Sequence, residues 1–109
     1  MKTTAQWLDA VKARLELPSD YAAAKVLGVT RASVSSWRNG RTTFDDDTAF
    51  LVAEILDVNP LEVMVSSRAE RSKNDDQRHA WEGRWEKFSR NFRSLVSPAN
   101  AHGVSLRWV

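Results

Sequence analysis

The sequence predicts an all-α protein, and three observations predict it. Apolar residues recur at helical spacing along nearly the whole chain. Cap residues stand before the periodic runs, and glycine or proline follows several of them. Strand-like alternation is confined to a weak stretch at Val104 to Val109.

The elements follow in order. Thr3 with Gln6 makes a capping box for a first helix. Its apolar face is Trp7, Leu8, Val11 and Leu15, and Pro18 ends it. Ser19 caps a second helix, Asp20 to Leu27, with an acidic residue at its positive end. Gly28 follows its last turn, where a left-handed residue is usually required. Thr30 caps a third helix, Arg31 to Arg38, closed by Asn39-Gly40, and Arg41 to Phe44 reads as a loop. Asp45-Asp46-Asp47 starts a fourth helix with an apolar stripe of Leu51, Val52, Ile55 and Leu56. Asn59-Pro60-Leu61-Glu62 supplies a cap, a first-turn proline and a capping-box glutamate for a fifth. That helix is expected to fade from Ser66 to Asn74. A sixth restarts at Asp75 and runs to about Val96, where Ser97-Pro98 breaks it. The expected division is 1–65, a polar connection 66–74, an amphipathic helix 75–96 and a tail 97–109.

Composition narrows the function. The 109 residues have room for one domain and one further element. There is no cysteine, which removes disulfides and thiolate chemistry, and with two histidines a metal cage is not expected. No apolar run approaches the roughly 20 residues of a membrane span. No apolar core follows the first residues, so a secretory leader is not expected and a cytoplasmic protein is. No paired carboxylates, nucleophile–base set or glycine-rich phosphate loop stands out, so neither catalysis nor a cofactor is expected. The net charge of +2 is a cancellation. Residues 1–44 hold seven bases and three acids, residues 45–74 three bases and seven acids, and residues 75–109 six bases and four acids. A basic first segment suits a polyanionic partner.

Residues 20–38 carry the most information. Two short helices that cross steeply need small residues at their contact, and Ala23 and Ala24 supply them. The turn needs a residue at ease with positive φ, Gly28, and an apolar plug, Val29. The second helix needs inward apolar residues, Val34 and Trp37, and Leu27 anchors the first.

This segment, with the exit Trp37-Arg38-Asn39-Gly40-Arg41 and the helix ending Val52-Ala53-Glu54-Ile55-Leu56-Asp57-Val58-Asn59-Pro60, resembles the helix-turn-helix of Cro- and repressor-type (XRE-like) regulators of phage and prophage. The likeness spans about residues 4–65. It implies a five-helix, lambda-repressor-like DNA-binding domain, followed here by a C-terminal amphipathic helix. Arg68 to Lys73 with Trp81-Glu82 also looks like the tail of small prophage-encoded members.

With Val34 and Trp37 inward, the helix 31–38 exposes Arg31, Ala32, Ser35 and Ser36, with Arg38 at its far end. By the resemblance, base contacts fall on Arg31, Ala32 and Ser36. Guanidinium suits guanine O6 and N7, and Ala32 suits a thymine methyl. Phosphate contacts are expected from Ser19 and the amides beside it, Thr30, Ser35, Arg38, Asn39, Arg41 and Thr42. Asp20 is an objection there, since a carboxylate facing outward repels phosphate.

Two features remain. The Asp45-Asp46-Asp47 run reads as a cap and a first turn, not a metal site. In the sixth helix, Trp81, Trp85, Phe88, Phe92 and Leu95 form a heptad-like seam. Three readings of it stay open: packing onto the first domain, self-association in a homodimer, or contact with a partner protein or a membrane surface. The reading as a whole is a double-stranded-DNA-binding transcriptional repressor, a homodimer acting in the bacterial cytoplasm. The alternative is a protein-interaction module, or an antitoxin, gripping a partner through 75–96.

Overall fold

A computed structural model describes the backbone of residues 1–100 and the side chains of residues 1–91. The expected seam residues Phe92 and Leu95 lie outside the described side chains, and the Val104–Val109 stretch and Trp108 lie outside the described residues. The described chain is all helical: α1 (Thr4–Arg14), α2 (Asp20–Leu27), α3 (Arg31–Arg38), α4 (Asp46–Leu56), α5 (Pro60–Glu70) and α6 (Asp75–Asn100).

Local chemistry starts each helix where the sequence places it. Thr3 and Gln6 form the full capping box of α1. The side chains of Ser19, Thr30 and Asp45 accept from the amides of Ala22, Ser33 and Thr48. Asn59 caps α5, with Pro60 in its first turn. The amide of Thr48 also holds the Asp45 carboxyl below its ordinary pKa, as a cap requires. Gln77 donates its amide to Asn74 at the start of α6.

One core joins the first five helices. It consists of Trp7, Leu8 and Val11 from α1, Ala23, Ala24 and Leu27 from α2, Val34 and Trp37 from α3, Ala49, Val52 and Ala53 from α4, and Val63 from α5. Phe44 completes it from the loop before α4, meeting the edge of Trp37 at 4.8 Å between ring centroids. This loop is therefore part of the packing, which its polar sequence does not announce. α1 lies at the centre, touching α2, α3, α4 and α5.

The structure corrects the end of α5. The helix does not fade at Ser66 but continues to Glu70, with Ser66, Ser67 and Ala69 buried. The reason is a polar bond inside the core. The Trp7 indole N–H donates to Ser66 Oγ at 2.7 Å, and that hydroxyl donates to the Val63 carbonyl at 2.8 Å. One turn on, Glu70 Oε1 accepts the Thr4 amide at 2.7 Å. A serine that looks like linker, Ser66, thus holds α5 to α1. The expected break at Ser97-Pro98 is also absent, since α6 runs to Asn100. A proline removes one amide donor but need not end a helix.

α6 pairs with α5 across a short turn. Trp81 is half-buried with the Arg68 guanidinium 5.6 Å from its ring, and Trp85 is half-buried beside Trp7 and Ser66 at a cavity of about 370 Å³. The Met1 amino group reaches Glu82 at 3.3 Å. Phe88 remains exposed.

A charged network ties α1, α2 and α3 together. Arg38 grips Asp20 through two hydrogen bonds of 2.8 and 3.1 Å and reaches Asp9 at 3.0 Å. Lys12 meets Asp20 from α1 at 3.0 Å. The Arg38 bonds, helped by Lys12 and opposed by partial burial, lower the Asp20 carboxyl from 3.8 to about 2. Arg38 is pushed correspondingly higher.

Two outcomes follow from these contacts. Ser66→Ala strands the buried Trp7 N–H and is expected to lower unfolding stability by about 1–3 kcal/mol, with a shifted tryptophan emission. A lowered carboxyl pKa stabilises the fold above the unfolded value and loses that contribution as pH falls through the folded value. Asp20 is 37% exposed, so screening leaves about 1 kcal/mol. Asp20→Asn should therefore cost that much at neutral pH in urea unfolding, and its deficit should shrink between pH 4 and pH 2.

Candidate nucleic-acid interface

The interface is built by the turn between α2 and α3. Gly28 takes the left-handed conformation, φ 69°, and ends α2. Its amide and that of Val29 return to the carbonyls of Ala24 and Lys25. An added Cβ at Gly28 would meet nothing, so the requirement is one of backbone angle and not of space. Val29 packs partly against the core, and Thr30 begins α3 at once. Ala23 and Ala24 are buried and small, so α3 lies close against α2. Val34 and Trp37 lock its inner face.

The outer face follows from that lock. Arg31, Ala32, Ser35 and Asn39 are exposed, and Ser36 is half-buried. Arg41 and Thr42 are exposed just beyond, because their amides fold back onto the Ser36 carbonyl at 2.9 and 3.5 Å. Gly40, φ 73°, permits that return. A shallow cleft of about 270 Å³ separates the start of α2 from α3, with Tyr21, Arg31, Ser35 and Asn39 on its walls.

The expected contact residues fall into two groups. Arg31, Ala32, Ser35, Ser36, Asn39, Arg41 and Thr42 lie along one surface. Ser19, Thr30 and Arg38 have internal work. The Ser19 and Thr30 oxygens cap their helices, and Thr30 also donates to Ser33 at 3.0 Å. Arg38, expected at a phosphate, instead turns its guanidinium to Asp20 and Asp9. The same pairing removes the objection raised by Asp20, whose charge is matched from two sides by Arg38 and Lys12.

Tyr21 is a residue that the sequence reading passed over. It is exposed in the first turn of α2. Lys25 lies 4.6 Å from its ring centroid and the Arg31 guanidinium 4.9 Å. A cation over an aromatic face gains about 0.5–1 kcal/mol at an exposed site. Stacking therefore restrains Arg31, the longest side chain on the outer face. The i,i+4 spacing of Tyr21 and Lys25 is a visible signal, but the approach of Arg31 depends on the turn.

The comparisons agree with this geometry. A family model described as helix-turn-helix matches residues 19–63. An uncharacterized protein, Gp-c, of Pseudoalteromonas phage PM2 is 30% identical over 83 residues, covering 72% of this chain and 90% of that protein. No solved structure matches the chain significantly. No helix among the described residues is long and apolar enough to cross a membrane. A left-handed glycine turn, a small-residue crossing and a polar outer face on α3, together with these matches, make the chain a member of the Cro- and repressor-type helix-turn-helix family of DNA-binding regulators, of phage type.

Proposed function

We propose that the protein is a sequence-specific transcriptional repressor that reads the major groove of double-stranded DNA with α3. The observation that carries this reading is the exposed row Arg31, Ala32 and Ser35 on a helix whose opposite face is immobilised by Val34 and Trp37. An α-helix fits the major groove, and in this class of motif the N-terminal part of the second helix meets the base edges.

Arg31 is the principal reader. Its guanidinium bonds O6 and N7 of a guanine in a bidentate fork, and the Tyr21 ring limits its freedom beforehand. Ala32 contacts a thymine methyl, and Ser36 gives a short polar contact. Phosphates are held on either side by the amides at the start of α2 near Ser19 and at the start of α3 near Thr30, by Ser35, and by Asn39, Arg41 and Thr42. Arg38 acts by fixing the angle of α3 through Asp20 and Asp9. The protein works in the bacterial cytoplasm, on DNA, and represses by covering sites that polymerase needs.

A single reading helix spans few base pairs, so two copies on a twofold axis give the needed discrimination. The seam of α6 anchors that dimer, with Phe88 exposed on it 5.9 Å from the half-buried Trp85 between ring centroids.

Binding to the gene's own upstream region and to a random duplex tests the reading. Arg31→Ala should weaken the upstream complex by about 1–3 kcal/mol and the random one little. Arg41→Ala should weaken both alike and reduce the log–log salt slope, expected near about −5 for six phosphates, by about 1. Equal losses for Arg31→Ala on both duplexes would falsify its role as a reader. Light scattering should show a dimer, and Phe88→Asp should shift it to monomer. A monomeric wild type that still binds a palindrome tightly speaks against the dimer.

A further inference from the structure

We infer that the cleft between the end of α5 and the first turns of α6 is a second polyanion site, built for the phosphate backbone of a second DNA segment. It is an open cleft of about 580 Å³. Arg68, Arg71, Lys73 and Arg84 line it, and Trp81 stands among them. The Arg84 guanidinium lies 4.9 Å from the Trp81 ring centroid and that of Arg68 5.6 Å. Stacking on an indole restrains a guanidinium while leaving its in-plane N–H groups open to an anion.

Three of the nearby carboxylates are occupied elsewhere, and Asp76 is exposed in the first turn of α6 without lining the cleft. Glu70 accepts the Thr4 amide, Asp75 pairs with Arg78, and Glu82 meets the Met1 amino group and His79. Glu70, Asp75, Asp76 and Glu82 form no ion pair with any of the four cations. Four like charges in one cleft repel one another, and a polyanion relieves that repulsion.

The lining favours phosphodiester over an acidic peptide. Beyond the cations and Trp81, whose ring is flanked by two guanidiniums, it offers Ala80, Ser72 and Gln77 and no aliphatic pocket. A peptide partner draws most of its affinity from side chains buried in well-packed pockets. A nucleic-acid backbone is held by charge and hydrogen bonds alone. The position argues for a second segment. Among the described residues, α2 and α3 touch neither α5 nor α6. The cleft is therefore separate from the surface that carries Arg31 and can take a duplex other than the one α3 engages.

The inference uses the DNA-binding family but not the α3 reading, and the test separates them. The upstream duplex is anchored to a surface, full-length protein is bound, and a labelled random duplex is then added. Wild type should retain the second duplex. Arg71→Glu/Arg84→Glu should retain about tenfold less, with its hold on the anchored duplex unchanged. Lys87→Glu/Arg90→Glu, a matched change on α6 outside the cleft, should retain as much as wild type. Arg71→Gln/Arg84→Gln guards against misfolding, and thermal melts check each variant. No capture by wild type, equal capture by the cleft variant, or equal loss in both charge reversals overturns the proposal. So does release of the second duplex by polyglutamate as readily as by polyphosphate of equal charge, which points to an acidic protein instead. If the upstream duplex does not bind at all, the α3 reading has failed. The same variants are then compared on a random duplex at low salt. There a selective loss in Arg71→Glu/Arg84→Glu still supports the cleft, and its absence overturns it.

Discussion

The close crossing of α2 and α3 is the constraint from which the rest of the molecule takes its orientation. Ala23 and Ala24 allow the approach, and Gly28 turns the chain with the one backbone geometry that suits a glycine there. Val34 and Trp37 then have a single inward direction, and Arg31 and Ala32 a single outward one. Trp37 extends the constraint further by meeting Phe44, which brings the loop into the core ahead of α4. Charge secures the other end, where Arg38 spans from α3 to Asp20 of α2 and Asp9 of α1. The pairing is partly exposed, so its worth lies more in fixing an angle than in stability.

A second tie joins the motif-bearing half to the helices behind it. The bond from Trp7 to Ser66, continued to the Val63 carbonyl, satisfies polar groups that would otherwise be stranded in the core. α5 thereby stays helical through Ser66 and Ser67, which brings Arg68 and Arg71 to the turn before α6. The half-buried Trp81 and Trp85 then pack α6 onto that support. Charge is thereby sorted by face. Lys25, Arg31 and Arg41 stand exposed at α3 and its flanks, and a second basic surface opens at the α5–α6 turn.

Much of the fold was legible because helix signals are local. Caps such as Thr3, Ser19, Thr30, Asp45 and Asn59 act within three residues, and the sequence displays that spacing directly. Legibility was poorer where a polar residue goes inside. Ser66 and Ser67 read as linker, because serine favours turns in isolation. Only the indole of Trp7, 59 positions away in sequence, gives Ser66 a reason to be buried in a helix. Phe44 was hidden in the same way by its polar neighbours.

For the candidate interface, the sequence by itself determined the motif, its register and which face of residues 31–38 turns outward. Helical periodicity and the sizes needed at a tight crossing decide those within about twenty residues. The tertiary structure decided what each polar group does once that face exists. It assigned Arg38 to Asp20 and Asp9, brought Tyr21 beneath Arg31, and left Arg68, Arg71, Lys73 and Arg84 around one cleft. The physical reason is reach. Backbone conformation responds to neighbours a few residues apart, whereas long charged side chains choose partners by position in space, and the packing of distant helices creates those positions.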